Sequence, residues 1–261
     1  MTRPNVLILS GHDPSGGAGL QADIEAVGAQ GGHGVSVITA LTRQDTQNVY
    51  DVHPIDDRFF ADCIDTVIAD MPIAAIKTGV IASPGQVDTI AGLMTRYPGL
   101  PLVVDPVLSA AGGGELAADS VGRALRDRLF GHASLITPNA GEARRLCDGE
   151  PDIDRCGARL AGYGPQVLIT GGDEDDAQVI NRRYTPNGDR QLDRWPRLDG
   201  RFHGSGCTLA SSIAARLANG QSLDEAITDA QEFTWHALEN AFNAGQGQAI
   251  PDRRASIRTP K

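Results

Sequence analysis

The stretch that decides the fold is NVLILSGHDPSGGAGLQADIEA, residues 5–26. It begins with an apolar run at 5–11, continues as a glycine-rich turn, and ends with apolar residues at helical spacing. A short apolar run bounded by turn residues is typical of a buried strand, and the spacing that follows is typical of an amphipathic helix. The stretch therefore predicts a strand, a tight turn and a helix.

The same alternation of strand and helix continues along the chain. Further apolar runs lie at 35–41, 74–80, 101–107, 134–139 and 166–172, and helix candidates lie at 18–30, 56–70, 83–97, 117–129 and 152–162. Because these runs are apolar on both faces, we expect an α/β fold with a mostly parallel sheet covered by helices on both sides. After residue 172, two polar strands flank PNGD at 186–189, which predicts an edge hairpin. A capping box at Ser222 and Glu225 predicts a final helix to about residue 243.

Length and composition indicate one globular domain over residues 1–261. Apolar residues make up 41% of the chain, and no stretch resembles a linker. We expect the last ~15 residues to form a loosely attached tail. The four cysteines, at positions 63, 147, 156 and 207, lack C-x-x-C spacing, which argues against zinc and disulfides and predicts free thiols.

The charge pattern excludes two classes of partner. The formal net charge is −10, and no segment has the clustered Lys and Arg that nucleic acid or an anionic membrane surface requires. No apolar run approaches the length of a membrane span, and the first one is too short for a signal peptide. We therefore expect a cytoplasmic protein.

Polar residues follow the apolar runs at the points where the strands end. They are Gly11 and Asp13, Thr42 and Gln44, Lys77 and Gly79, Asp105, Thr137 and Asn139, and Gly171 and Gly172. In parallel sheets, ligands bind in the crevice beyond the carboxyl ends of the strands. The sequence therefore predicts the position of the site before its chemistry.

A second glycine-rich stretch, HGSGCTLASSIAARL at 203–217, predicts a helix that begins without a side-chain cap. The unpaired amides and the positive dipole end of such a helix suit an anion. Cys207 lies in its first turn, where a thiol pKa is expected to be lowered, although a small residue packed under the turn fits equally.

The glycines of the turn at 11–19 do not form a known nucleotide loop. Gly17 and Ala18 stand where a P-loop needs Lys and Ser or Thr, and the dinucleotide pattern G-x-G-x-x-G is absent. These glycines either serve a ligand or only permit a tight turn. Asp23 favours a ligand, since it lies one helical turn after Gly19 and faces the crevice.

Other strand-end residues have both a ligand and a structural interpretation. The Gln44 amide suits the edge of a heterocycle or belongs to a solvated loop. Asp105 and Asn139 offer oxygens suited to magnesium or act as turn and N-cap residues, with Thr137 and Glu142 beside them. Lys77, the sole lysine besides Lys261, either matters at its strand end or extends to the surface.

Seven motifs, taken in order, resemble a known family. They are GHDPSGGAGLQAD, VITALTRQDT, IKTGV, VVDPV, LITPNAGE, ITGGDE and HGSGCTLASSIAARLANG. Together they look like the hydroxymethylpyrimidine and phosphomethylpyrimidine kinases of thiamin biosynthesis, in the ribokinase-like superfamily. The resemblance extends from residue 6 to about residue 220 and is far more specific than any single glycine loop.

The resemblance implies a three-layer α/β/α sandwich, usually a homodimer, that transfers the γ-phosphoryl group of ATP with Mg²⁺. The implied substrate is 4-amino-5-hydroxymethyl-2-methylpyrimidine, then its monophosphate. Family substrate contacts fall on Gly11, Asp23, Thr42, Gln44 and Val80. The anion hole falls on Gly204, Ser205, Gly206 and Cys207, with Cys207 as base or phosphoryl-binding group. We assign ATP contacts to Asn139, Thr170 and Gly172, and magnesium contacts to Asp105, Thr137 and Glu142.

The chain departs from the family pattern at three places. The usual G-T-G-C is G-S-G-C, the usual KGGH is TGGD with Thr170 and Asp173, and a methionine is replaced by Val80. Two alternatives to the pyrimidine kinase therefore stay open. One is a pyridoxal or pyridoxine kinase, and the other is a catalytically weak pyrimidine-binding protein.

Overall fold

The computed structural model describes residues 3–108 and 119–254. Its strands are β1 (Asn5–His12), β2 (His33–Gln44), β3 (Val49–Pro54), β4 (Ile73–Thr78), β5 (Leu102–Val104), β6 (Leu135–Ile136), β7 (Gln166–Ile169), β8 (Gln178–Tyr184) and β9 (Arg190–Pro196). Its helices are α1 (Gly19–Ala29), α2 (Asp57–Asp70), α3 (Pro84–Arg96), α4 (Asp119–Ala124), α5 (Ala140–Leu146), α6 (Ile153–Ala161), α7 (Ser205–Ala218) and α8 (Leu223–Glu239).

The strands of the described residues form one sheet in the order β3-β2-β1-β4-β5-β6-β7-β8-β9. The six central strands are parallel; in sheet order they are β2, β1, β4, β5, β6 and β7. At one edge β3 pairs antiparallel with β2, and at the other β8 pairs antiparallel with β7 and β9 with β8. The predicted parallel sheet and edge hairpin are confirmed. The strand β3 was not predicted, because Tyr50, Asp51 and His53 are exposed and give no apolar pattern.

Alternate residues of the central strands build two cores, one on each face of the sheet. In β1, Leu7 and Leu9 belong to one core and Val6 and Ile8 to the other. The core of Leu7 is closed by α2 to α6, and the core of Val6 is closed by α1, α7 and α8. This arrangement is the expected three-layer α/β/α sandwich, with the sheet in the middle.

Helix boundaries follow their capping residues more closely than their apolar spacing. Asp56, Ser83 and Asp152 cap α2, α3 and α6 with their side chains. The predicted helix at 117–129 begins outside the described residues and continues from α4 into a π-helical turn, Leu125–Leu129. The last helix ends at Glu239, short of residue 243, because Phe242 pairs with Ile250 instead. Across the described ranges, no helix is long and apolar enough to cross a membrane.

The expectation of a loosely attached tail is wrong for residues 247–254. Ile250 is 5% exposed and Arg253 is 1% exposed. Backbone hydrogen bonds tie the segment to Thr46, Arg201 and His203. The polar composition gave no sign of this anchoring, because backbone groups and one buried guanidinium supply the contacts. The remainder of the predicted tail, 255–261, lies outside the described residues.

Candidate functional site

Buried polar atoms without a hydrogen-bond partner concentrate where the strands end. Among the described residues, they include Ser10 Oγ, Asp23 Oδ2, Thr78 Oγ1, Asp105 Oδ2 and Thr137 Oγ1. Such atoms are costly to bury, and proteins leave few of them unpaired. These atoms come from β1, α1 and β4 and from the turns after β5 and β6, so they locate a ligand site in the predicted crevice.

Lys77 forms the centre of a buried charge cluster in this crevice. Its Nζ donates to Asp23 Oδ1 at 2.7 Å and lies 3.8 Å from Asp105 Oδ2. Burial alone would lower the pKa of Lys77, but the negative charges around it, above all Asp23, raise it above its ordinary value. The ammonium is therefore charged. Because Lys77 is 0% exposed, the alternative that it extends to the surface is wrong.

The predicted substrate residue Asp23 already has partners within the protein. Its Oδ1 accepts hydrogen bonds from Lys77 and, at 2.8 Å, from Ser211 Oγ. Its Oδ2 has no partner. A contact between Asp23 and a ligand would therefore use Oδ2.

Two further carboxylates, Asp105 and Glu142, are buried beside this cluster. Burial raises the pKa of Asp105 to about 6 against the opposing charge of Lys77. Burial and the charge of Asp105 raise the pKa of Glu142 to about 8. Neither carboxylate is well stabilised as an anion, so a cation bound near them would offset the free-energy cost of burying their negative charges.

Glu142 and Asn139 form a capping box at the start of α5. Asn139 Oδ1 accepts from the Glu142 amide at 2.8 Å, and Glu142 Oε2 accepts from the Asn139 amide at 2.9 Å. Glu142 Oε1 accepts from Leu108 at 3.3 Å. The N-cap interpretation of Asn139 is confirmed. Within 3–108 and 119–254, no group of three or more His, Cys, Asp or Glu residues is arranged to hold a metal.

The start of α7 has no side-chain cap. Gly204 precedes it in the left-handed conformation with φ +84°, and a Cβ there would lie 2.2 Å from the Gly17 carbonyl oxygen. A Cβ on exposed Gly206 would lie 3.9 Å from both carboxylate oxygens of Asp105. The first amides of α7 are therefore next to the carboxylate end of the cluster, in reach of an anion bound there.

The expected low pKa of Cys207 is wrong. Burial raises the pKa of this thiol to about 12, and the negative charges of Asp23 and Asp105 add to the effect. Lys77 and the Gly19 amide oppose it without overcoming it. A helix start lowers a thiol pKa only where the surroundings do not favour the neutral form more strongly.

The predicted pyrimidine contacts lie around the end of β1. A Cβ on Gly11 would lie 3.5 Å from Cβ of Val80, which is buried. Thr42 Oγ1 donates to the His12 carbonyl at 2.9 Å. Gln44 lies two residues further along β2, opposite Val49 of β3. The structure thus groups Gly11, Thr42 and Val80, and it places Gln44 on the hairpin that extends beyond them.

The predicted nucleotide contacts lie between β6 and β8. Thr170 pairs with Asn139 in an isolated bridge, and its amide donates to the Pro138 carbonyl at 3.0 Å. Gly172 lies in the exposed turn that follows. In the same turn, the Asp173 carboxylate accepts from the amides of Ala140 and Gly141 at 3.3 and 3.0 Å. The residue that replaces the usual histidine therefore occupies the start of α5.

Two polar groups hold the glycine-rich loops together: Asp13, which the sequence marked only as a strand-end residue, and Arg253, which it did not single out. Asp13 accepts from the amides of Ser15 and Ala18, both at 2.8 Å, and lies 2.8 Å from His203 Nε2. Burial works to raise the pKa of Asp13, but the hydrogen bonds from His203 and Ala18 bring it below its ordinary value. The second group is Arg253. Its Nη2 donates to the Gly17 carbonyl at 2.6 Å.

Comparison with known proteins agrees with this geometry. The phosphomethylpyrimidine kinase family matches residues 13–252. The hydroxymethylpyrimidine/phosphomethylpyrimidine kinase of Streptomyces coelicolor is 37% identical over 254 residues, 95% of this chain and 93% of that protein. The thiamine biosynthesis bifunctional protein ThiED of Geobacter sulfurreducens is 37% identical over 94% of this chain. The chain spans about half the length of that protein and of two plant bifunctional relatives.

Solved structures agree with the fold. An ADP complex of Bacillus subtilis pyridoxal kinase superposes with a TM-score of 0.91 at 26% identity, covering 99% of this chain and 100% of that one. A phosphomethylpyrimidine kinase from Clostridium difficile 630 gives a TM-score of 0.75 at 31% identity, covering 91% and 100%. The family indicated by the seven motifs is thereby confirmed, and the chain belongs to the phosphomethylpyrimidine kinase family.

Proposed function

We propose that the protein transfers the γ-phosphoryl group of ATP to the hydroxymethyl oxygen of 4-amino-5-hydroxymethyl-2-methylpyrimidine, and then phosphorylates the resulting monophosphate. The observation that carries this proposal is the uncapped start of α7 beside the buried cluster of Asp23, Lys77 and Asp105. Phosphoryl transfer needs alignment and donors aimed at developing negative charge, and helix-start amides provide such donors. Membership of the kinase family supports the same assignment.

The phosphoryl end of the site is the first turn of α7. We assign the amides that follow Gly204, those of Ser205, Gly206 and Cys207, to the transferred group. The alcohol oxygen attacks the γ-phosphorus while the bond between that phosphorus and the ADP oxygen breaks, and the hydroxyl proton passes to water. Because Cys207 lies in the first turn of α7, we assign its amide to the phosphoryl group, and burial, which raises the pKa of its thiol to about 12, disfavours a role as base.

The residues beside the phosphoryl end fit Mg²⁺. Asp105 Oδ2 and Thr137 Oγ1 are buried oxygens without hydrogen-bond partners, and oxygen ligands are what Mg²⁺ prefers. Both oxygens of Glu142 accept hydrogen bonds from backbone amides, so Glu142 would contact the ion through water. The charge of the ion would lower the raised pKa of Glu142 and so favour its carboxylate form. When bound, Mg²⁺ would neutralise charge on the ATP phosphates. Asn139, Thr170 and Gly172 would hold the nucleotide on the far side.

The pyrimidine end lies around Gly11 and Val80. Val80 is a buried apolar wall, and Gly11 leaves room beside it for a flat ring. We assign the Gln44 amide to the aminopyrimidine edge, with Thr42 next to it and Asp23 Oδ2 as a further acceptor.

An activity assay tests the proposal: purified protein is incubated with Mg²⁺, ATP and the pyrimidine alcohol. We expect the monophosphate and then the diphosphate, detected by mass spectrometry, with matching ADP. Absence of both phosphates would overturn it. The homodimer implied by the resemblance stays a prediction, which sedimentation velocity checks.

A pyridoxal kinase activity is the second candidate. It is favoured by the TM-score of 0.91 to the Bacillus subtilis enzyme, although that chain is 26% identical. Pyridoxal also carries a hydroxymethyl group on a nitrogen heterocycle. Measured side by side, kcat/KM for the pyrimidine alcohol is expected to exceed kcat/KM for pyridoxal, and the reverse order would favour this candidate.

A pyrimidine-binding protein with weak catalysis is the third candidate. It is favoured by Thr170, which replaces the usual lysine, and by Asp173, which occupies the start of α5. This candidate predicts that the pyrimidine raises the unfolding temperature without ATP consumption. Thr170→Lys would then raise turnover, whereas in an efficient kinase it changes turnover little.

A further inference from the structure

The C-terminal strap, defined as residues 245–254, begins at the tip of the β2–β3 hairpin. The Gly247 amide donates to Thr46 Oγ1 at 3.0 Å, and the Gln248 amide donates to the Thr46 carbonyl at 2.8 Å. A Cβ on Gly247 would lie 2.1 Å from that carbonyl oxygen. The strap is therefore closely packed on the turn that follows Gln44.

The middle of the strap pairs with the loop that leads into α7. The His203 amide donates to the Ala249 carbonyl, and the Ala249 amide donates to the Arg201 carbonyl, both at 2.9 Å. His203 also contacts Asp13, so the strap, the loop before α7 and the glycine-rich turn after β1 form one connected unit.

The strap ends on the phosphoryl side through Arg253. Its Nη2 donates to the Gly17 carbonyl at 2.6 Å, and its Nε donates to Thr208 Oγ1 at 2.9 Å. The Thr208 hydroxyl in turn donates to the Gly204 carbonyl at 2.8 Å. One guanidinium therefore fixes both sides of the close approach between Gly17 and Gly204.

The position of this charge favours an anion at the start of α7. The Gly17 carbonyl lies beside the Gly204 turn, and its partial negative charge would repel a phosphoryl group if it were left unpaired. Arg253 covers that carbonyl and adds a buried positive charge. Its counter-ion, Glu25 at 3.2 Å, is 26% exposed and also faces Arg254, so it offsets that charge incompletely.

We propose that Arg253 is a positioning residue for the phosphoryl end, and that the strap links this end to the hairpin carrying Gln44. This inference rests on the proposed function of the site. It makes two separable claims. Arg253 controls nucleotide binding, and the Thr46 contact controls pyrimidine binding.

The first test measures binding of AMP-PCP, an ATP analogue that keeps the γ-phosphoryl group, and of the pyrimidine by calorimetry with Arg253→Met. We expect the Kd for AMP-PCP to rise about tenfold or more, because hydrogen bonds to a charged group are lost, and the Kd for the pyrimidine to stay within about twofold. Arg253→Lys keeps the positive charge but lacks the planar guanidinium that donates to two acceptors. Its Kd for the nucleotide should therefore fall between those of wild type and Arg253→Met. The matched control is Arg254→Ala, which removes the exposed neighbour on the same Glu25 and should leave both constants within about twofold.

The second test uses Thr46→Val, which removes the acceptor of the Gly247 amide. We expect the Kd for the pyrimidine to rise about threefold and the Kd for AMP-PCP to stay unchanged. Should Arg253→Met fail to fold, Thr208→Val replaces it, since this change breaks the link between Arg253 and Gly204, and the Kd for AMP-PCP should rise about threefold.

The outcomes separate the strap from the proposed function. Wild-type protein that binds neither ligand would overturn the proposed function. Wild-type binding combined with equal losses for both ligands, or with no loss in the Arg253 and Thr208 variants, would overturn the strap alone.

Discussion

Two helices, α5 and α7, begin at the same edge of the sheet, but they differ in whether side chains of the protein accept hydrogen bonds from their first amides. At α5, Asn139 caps the helix and the Asp173 carboxylate accepts from Ala140 and Gly141. At α7, Gly204 provides no side-chain acceptor. Both helix starts attract negative charge, but only α5 receives it from the protein's own side chains.

This difference between the two helix starts indicates where an external anion binds. A carboxylate already placed at α5 competes with any phosphate there, whereas α7 presents its amides beside Asp105 and Lys77. The start of α1 differs from α5, since its N-cap residue Ala18 provides no side-chain cap and donates its own amide to Asp13. At α7, the open start follows from Gly204, which has no side chain to accept from the first amides.

We expect the largest loss of turnover from adding a side chain at Gly204, where the chain approaches the Gly17 carbonyl closely. Gly204→Ala places a Cβ 2.2 Å from the Gly17 carbonyl in a left-handed conformation, so the loop must move. We expect turnover to fall about 100-fold or more, as when an oxyanion donor is removed, with a stability loss of about 2 kcal/mol. Steady-state kinetics and urea unfolding measure the two.

Gly220→Ala is the matched control at the other end of α7. Its φ of +87° is also left-handed, but a Cβ there meets no atom within 4 Å. It should cost about 1 kcal/mol of stability and leave turnover intact. Equal losses of turnover in the two variants would break the comparison.

The next effect comes from giving α7 a carboxylate like the one at α5. Ser205→Asp should raise the free energy of unfolding by about 0.5 kcal/mol through the helix dipole, while turnover falls about 30-fold because the added charge repels phosphate. Ser205→Asn, similar in size and uncharged, should lose far less turnover. A Ser205→Asp variant as active as wild type would mean that the phosphoryl group binds elsewhere.

A third effect concerns Asp13, which holds the glycine-rich turn. Its pKa in the folded protein is below the ordinary 3.8, so its stabilisation is present above about pH 4 and is lost as the pH falls through the folded-state pKa. Asp13→Asn should cost about 2 kcal/mol at pH 7, where the Ser15 amide and hydroxyl, the Ala18 amide and His203 lose a charged acceptor. Urea unfolding from pH 7 to pH 3 measures the difference in the free energy of unfolding between wild type and Asp13→Asn. We expect this difference to stay constant down to about pH 4 and to shrink below it. A difference that grows toward pH 3 would contradict the assignment.

The smallest effect belongs to the filled helix start. Asp173→Ala should reduce the free energy of unfolding by about 0.5 to 1 kcal/mol, because the α5 amides lose a charged acceptor. ADP binding should change little, since Asn139 still caps the helix. Thermal unfolding and calorimetry check both parts. A large loss of ADP affinity would place Asp173 in the nucleotide site.

The layers of the fold and the edge that carries the site were predictable from the sequence. Apolar runs with polar residues at their ends identified the parallel strands, and Gly204 and Gly206 indicated an uncapped helix. These features depend on residues close together in the chain. The polar strand β3 lacks such a pattern and was missed, and the short helix α5 was indicated only by the N-cap interpretation of Asn139.

Properties that depend on distant residues were not predictable. The pKa of Cys207 is set by Asp23 and Asp105, which the fold brings from α1 and the end of β5, so the local helix-start rule failed. Arg253 contacts Gly17 across 236 positions of sequence, and no local pattern identifies such a contact. Lys77 was noticed for its rarity, but its burial between two carboxylates required the sheet order.

Amide chemical shifts measured with ADP, Mg²⁺ and aluminium fluoride, a mimic of the transferred phosphoryl group, test the central comparison directly. We predict large shifts of the Ser205, Gly206 and Cys207 amides and small shifts of the Ala140 and Gly141 amides. Shifts confined to Ala140 and Gly141, with the α7 amides unchanged, would contradict it.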